Sequence, residues 1–179
     1  MNIRNAHSFE LISRWDRVLC LRFNRMSRCV WIRRLLGGAS RLGDGMFWYA
    51  LWLALLLCFG TDAVRAVAHM ILTGLVCGAI YKMLKAYTLR PRPYQAHSEI
   101  TLFATPLDRF SFPSGHTLHA VAFSVVAVAY YPWLVWLVMP FTLLVAASRV
   151  ILGLHYPSDV LAGAAIGAAV ALAATSLLI

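Results

Sequence analysis

Acid is scarce in this chain. Seven Asp and Glu stand against sixteen Lys and Arg, and charged residues make up only 13% of 179. So little charge excludes a disordered polyelectrolyte and argues against the surface of an ordinary soluble globule. Cysteine is sparse too: Cys20, Cys29, Cys58 and Cys77 show neither metal-ligand nor redox spacing. Cys58 and Cys77 lie in apolar runs, where cysteine serves as a small packing residue. No carboxylate or His/Cys cluster has metal-binding spacing, so neither metal nor cofactor is expected. The N-terminus lacks an apolar core and is studded with Arg, so it does not read as a cleavable signal.

What the chain has is apolar surface. Hydrophobic residues make up 61% and the mean hydropathy is +0.72, which points to a polytopic membrane protein. The formal net charge of +9 does not imply nucleic acid, because the basic residues fall beside apolar spans. There they face anionic lipid head groups and set topology.

Residues 9 to about 31 are amphipathic. Ile12, Trp15, Leu19, Phe23, Met26 and Val30 recur on one helical face, with Arg14, Arg17, Arg25 and Arg28 opposite. Asp16 borders the apolar face and breaks the pattern. The segment is too charged to span a bilayer and is expected to lie in its interface, or to pack against other protein. Gly37-Gly38 and Gly43-Asp44-Gly45 are expected to interrupt the chain before the first span. The division is therefore a basic interfacial segment over 1–43 and a membrane-embedded domain over 44–179. Five spans are expected, at about 46–60, 66–81, 117–131, 133–147 and 160–179, making an all-α helix bundle. Gly163 and Gly167 in the last span suit close helix packing.

Three polar clusters flank these spans. Lys85, Arg90 and Arg92-Pro93 follow the second, Pro113-Ser114-Gly115-His116 precede the third, and Ser148-Arg149 to His155 and Asp159 lie between the fourth and fifth. Alternating spans put all three on one side. A His with an Asp four residues on can act as an oriented nucleophile or base. Arg149 offers a fork that fits phosphate, and Ser114 and Gly115 at a helix start offer backbone N–H groups to an anion. Together the clusters describe a phosphate site with one base or nucleophile and one acid. His119, His69, Arg90, Asp108 and Glu99 are read as packing, interhelical or solvated residues.

Lys85-x6-Arg92-Pro93, Pro113-Ser114-Gly115-His116 and Ser148-Arg149-x5-His155-x3-Asp159 resemble the three signature motifs of the type 2 phosphatidic acid phosphatase family. The resemblance implies a metal-independent hydrolase of lipid phosphates or diphosphates. It implies His155 as the nucleophile that forms phosphohistidine, Asp159 as its orienting partner and His116 as the general acid. Lys85, Arg92, Ser114, Gly115 and Arg149 would hold the phosphate oxygens. By family analogy the first substrate expectation is undecaprenyl diphosphate, then phosphatidate or phosphatidylglycerophosphate. A lipid phosphotransferase and a non-catalytic lipid-binding protein are the alternatives. Many bacterial members have six spans, whereas five are counted here. Of the basic residues only Arg65 lies opposite the clusters, so the positive-inside rule puts the expected active site at the cytoplasmic face of the inner membrane.

Overall fold

The computed structural model describes residues 3–106 and 108–178, with side chains from 13 onward to 177. Among these residues there is no strand. Eight helices follow one another: α1 (Ile3–Asn24), α2 (Val30–Arg41), α3 (Phe47–Phe59), α4 (Asp62–Thr88), α5 (Pro93–Ala96), α6 (Gly115–Tyr130), α7 (Val135–Ile151) and α8 (Pro157–Leu178). Four apolar stretches are long enough to cross a membrane, at Val30–Phe59, Asp62–Ala96, Pro132–Ile151 and Pro157–Leu177, and α6 is a shorter apolar helix. The chain is a multi-pass membrane protein. All five expected spans are helical.

The first span differs from expectation. Gly37 and Gly38 do not interrupt it; they sit inside α2, with nothing within 4 Å of where a Cβ would stand. Backbone amides in an apolar medium must pair within the helix, and that requirement outweighs the poor helix propensity of glycine. The interruption falls at Gly43-Asp44-Gly45 alone, where a kink with Gly45 at φ +133° separates α2 from α3. Thirty residues of helix run about 45 Å, so α2 extends beyond a hydrocarbon core of about 30 Å into the interface.

α6 is the central post. It packs on α4, α7 and α8, and its Leu118, Ala122, Phe123 and Val126 join Trp48, Met70, Val138 and Ala171 in one core. The approach of α8 is very close. A Cβ on Gly163 would meet the Ser114 carbonyl oxygen at 2.6 Å, and one on Gly167 the Leu118 carbonyl at 2.3 Å. Glycine is required at both positions. Polar groups within the spans pair across helices: His69 Nδ1 with the Tyr130 hydroxyl at 3.2 Å and Ser124 Oγ with Thr142 Oγ1 at 2.7 Å.

α1 crosses the α7–α8 turn. Its apolar residues Trp15, Val18 and Phe23 face outward, as an interfacial helix requires. A second stripe, Asp16, Cys20 and Asn24, faces the protein. Asn24 Nδ2 donates to the Ile151 and Thr101 carbonyls at 3.0 and 2.9 Å, and Cys20 Sγ lies 3.6 Å from the His155 carbonyl. Asp16 breaks the outer apolar pattern because it belongs to this inner stripe.

Candidate active site

The three clusters meet at one end of the bundle. The α7–α8 turn is wound tightly, with the His155 and Leu154 N–H groups donating to the Arg149 carbonyl at 2.9 and 3.0 Å. Gly153 sits there at φ +79°, facing the Thr101 carbonyl at a distance that excludes a side chain. This turn buries His155 almost completely. Arg92 Nη1 lies 3.3 Å from His155 Nε2. A guanidinium only donates, so Nε2 accepts and Nδ1 carries the proton. Nδ1 faces Asp159 Oδ2 at 3.7 Å, just beyond hydrogen-bond reach. Burial first, then the charges of Arg149, Arg92 and Lys85, hold His155 well below the ordinary imidazole range. Its imidazole is therefore neutral, with the Nε2 lone pair facing Arg92.

The cations surround that nitrogen. Arg92 also donates from Nη1 to the Leu154 carbonyl at 2.9 Å. Arg149 donates to Ser40 Oγ of α2; its Nε is buried with no hydrogen-bond partner among the described residues. Lys85, buried in the last turn of α4, donates to the Tyr81 hydroxyl at 2.8 Å. Asp108 fills the space between these groups. Its carboxylate pairs with Lys85, takes a bond from Arg92 Nη2 at 2.8 Å, and accepts from Tyr81. Burial alone would raise Asp108, but the bonds from Lys85, Tyr81 and Arg92 hold it down to about 2.

At the start of α6 the two N–H groups have different fates. Ser114 N–H donates to the Asp159 carbonyl at 3.0 Å, joining the second cluster to the third, and Ser114 Oγ pairs with Thr117 Oγ1 at 3.0 Å. The Ser114 amide is thus engaged by protein. A Cβ on Gly115 would strike the Tyr81 ring at 2.6 Å, so glycine there admits Tyr81 to the site. His116 pairs through Nε2 with Asp44. His119 bridges the Gly115 and Gly74 carbonyls at 2.9 and 3.3 Å, a packing role as the sequence suggested.

Arg90 is a correction. It is not a solvated loop charge: its guanidinium donates to Asp159 Oδ1 at 2.6 Å and to Asp16 Oδ2 at 2.7 Å. Asp16 also accepts from the Ser158 N–H at 3.0 Å. The reason is geometric, since α1 folds over the α7–α8 turn and brings a buried carboxylate to it. Sequence reasoning likewise missed Ser40, Asp44 and Tyr81 as groups of the site. A polar residue every fourth position in α1 was the one available signal, for Asp16.

Two clefts open from the site. One, of about 290 Å³, is lined by Trp48, Tyr49, Trp52, Tyr81 and Phe123 and reaches His116. The other, of about 610 Å³, is basic, with Arg33, Arg34, Arg41 and Arg149. Asp44 stands on the wall between them.

Comparison with known proteins shows what this chain resembles. The chain is 36% identical over 114 residues to the undecaprenyl-diphosphatase BcrC of Bacillus subtilis, covering 63% of this chain and 58% of that one. It is 34% identical over 124 residues to a decaprenylphosphoryl-5-phosphoribose phosphatase of Mycobacterium tuberculosis, covering 66% and 67%. Phosphatidylglycerophosphatase B of B. subtilis is 34% identical over 143 residues, with 70% and 59% covered. Among solved structures, the PAP2-type phosphatidylglycerolphosphate phosphatase of B. subtilis superposes with a TM-score of 0.72 at 23% identity, over 93% of this chain and 86% of that one. LpxE of Aquifex aeolicus gives 0.75 at 24%, over 87% and 92%. The PAP2 superfamily model matches residues 62–178, a stretch that holds all three clusters, and the chain belongs to that superfamily.

Proposed function

We propose that the chain is an integral-membrane lipid phosphate phosphatase working through a phosphohistidine on His155. The observation that carries this reading is the setting of His155 Nε2: a neutral, buried nitrogen with its lone pair turned toward Arg92. Beside it, Asp108 occupies a cradle of cations, a carboxylate standing where a phosphate would bind. Substrate phosphate displaces that carboxylate and takes Lys85, Arg92, Arg149 and the Gly115 N–H. Nε2 then attacks phosphorus, and Asp159 supports the positive ring that results. His116 protonates the departing oxygen and afterwards takes a proton from the attacking water. Charge stabilisation and positioning, the main needs of phosphoryl transfer, come from protein cations.

The aromatic cleft beside His116 suits the first part of an apolar tail. Undecaprenyl diphosphate is the first substrate choice, supported by the likeness to the Bacillus undecaprenyl-diphosphatase; phosphatidylglycerophosphate and phosphatidate follow. Head groups enter from the cytoplasmic leaflet of the inner membrane, because nearly all basic residues share the site's side.

Phosphate release from a panel of these lipids by purified protein in detergent tests the activity. Turnover is expected for the wild type, and none for folded His155→Ala protein. Substantial turnover by that variant overturns the nucleophile assignment. A reporter pair fused after Ile179 tests the face: periplasmic alkaline phosphatase activity and dark green fluorescent protein are expected, and bright fluorescence moves the site outside the cytoplasm.

A further inference from the structure

Asp44 is an ionisable residue within the first span. Such residues are costly in a membrane and ordinarily have a functional partner. Here the partner is His116, held through Nε2. The local backbone is built to bring them together. The chain kinks at 42–46, where Gly45 leaves helical geometry. Gly43 lets this turn approach α7, since a Cβ there would lie 3.0 Å from Val145 Cγ2. Gly45, at φ +133°, would place a Cβ 2.9 Å from the Tyr49 ring. A regular helix with larger residues could occupy neither position.

We infer that Asp44 is a positioning residue for His116, forming a second carboxylate–histidine pair that completes the acid side of the reaction. The inference rests on the phosphatase reading above, and it concerns a residue outside the stretch 62–178 that the family model matches. The Asp44 carboxylate accepts the Nε2–H bond, which fixes the ring and leaves Nδ1–H as the proton to be given. In the first step the His155 Nε2–phosphorus bond forms as the phosphorus–oxygen bond to the lipid breaks. The Nδ1 proton passes to the departing oxygen, leaving His116 neutral. In the second step water adds to phosphorus, the nitrogen–phosphorus bond breaks, and the water proton returns to Nδ1. Burial and the charge of Arg149 lower His116, and Asp44 opposes both, supporting the protonated ring at the start and end of this cycle as Asp159 does for His155. His119 is turned to backbone instead: its Nδ1 and Nε2 lie 2.9 and 3.3 Å from the Gly115 and Gly74 carbonyls, and a neutral ring donates to one of them.

The test is leaving-group dependence in the detergent-solubilised full chain. Two substrates are compared: phosphatidate, whose alkoxide needs a proton, and an alkyl-substituted nitrophenyl phosphate, whose phenoxide does not. For Asp44→Asn, kcat on phosphatidate is expected to fall about 10- to 100-fold, a portion of what a general acid supplies. On the nitrophenyl ester kcat should change less than about threefold, with KM unaltered on both. In a His116→Ala background Asp44→Asn should have no further effect, and Asp44→Glu should restore part of the phosphatidate rate. Equal losses on the two esters, or additive losses in the double variant, overturn the pairing while leaving the phosphatase reading intact. A wild type that cleaves neither ester overturns both. If Asp44→Asn does not fold, Asp44→Glu carries the test: a loss on phosphatidate that exceeds the loss on the nitrophenyl ester supports the pairing, and equal losses on the two esters with folded protein overturn it.

Discussion

The contact between α6 and α8 converts one methyl group into a measurable loss. In Gly167→Ala the new Cβ would stand 2.3 Å from the Leu118 carbonyl oxygen. Ordinary contact begins near 3.4 Å, so the helices must part by about 1 Å or bend locally, at a cost of about 1–3 kcal/mol for overpacking. For a chain of this size that lowers the midpoint of thermal unfolding by about 2–12 °C. Gly163→Ala adds a catalytic penalty, because its clash is with the Ser114 carbonyl. That residue's N–H is bonded to the Asp159 carbonyl, so prising it away shifts His116 relative to His155. A displacement of about 1 Å costs about 100-fold in rate. Gly37→Ala is the control: it meets open space inside a helix and should be neutral or stabilising by up to about 1 kcal/mol. Thermal unfolding in detergent and kcat on one lipid phosphate read all three. If Gly167→Ala and Gly37→Ala shift the midpoint equally, the close packing of α6 on α8 is wrong.

Activity is expected to survive EDTA and to be inhibited by vanadate, because protein cations form the anion pocket; loss with chelator and recovery with a divalent ion would refute the mechanism. Asp16→Asn leaves Arg90 with Asp159 as its one carboxylate, beside Ser158 Oγ, and should cost about 1–3 kcal/mol, with faster proteolysis of α1 and reduced kcat; unchanged cleavage would show that Asp16 does not secure the helix. His155 is held below the ordinary imidazole range, so below about pH 6.5 the unfolded chain takes up a proton that the folded chain does not. Stability should therefore fall as pH drops from 7 toward 5, by up to about 1.4 kcal/mol per unit, and folded His155→Gln protein should show a shallower slope. Asp108, held down to about 2, stays ionised throughout that window, and parallel slopes would refute the assignment.

The catalytic core was readable because its residues sit in three short runs whose spacing carries chemistry. Lys85, Arg92, His116, Arg149, His155 and Asp159 needed only the alternation of spans to be placed together. What escaped was set by packing between distant parts of the chain. Asp44 is flanked by glycines, and that composition reads rightly as a break; what it does not reveal is that the kink brings Asp44 to His116. Arg90 looks solvated until a carboxylate 74 positions earlier folds over it. Ser114 presents a free amide on paper, but α8 takes that amide through Asp159. Asp108 lies in a loop whose course depends on contacts such as Phe103 N–H to the Leu152 carbonyl at 3.2 Å. The full length of the first span was hidden by Gly37-Gly38, because soluble-protein intuition about glycine fails where backbone amides have no water to turn to.

The inner stripe of α1 has a consequence for what can be moved between proteins. The segment that defines the family, 62–178, is not a portable catalyst in this chain. Transplanted behind a foreign leader, it would arrive with Arg90 missing one of its two carboxylates, Arg149 missing the Ser40 hydroxyl, and His116 missing Asp44. Each loss lands on a residue of the candidate site or on one that touches Asp159. A chimera therefore succeeds only if its new leader re-supplies an acid over the α7–α8 turn and another beside the start of α6. The first sixty residues are thus part of the enzyme's inheritance, free to vary in sequence only where they keep those appointments.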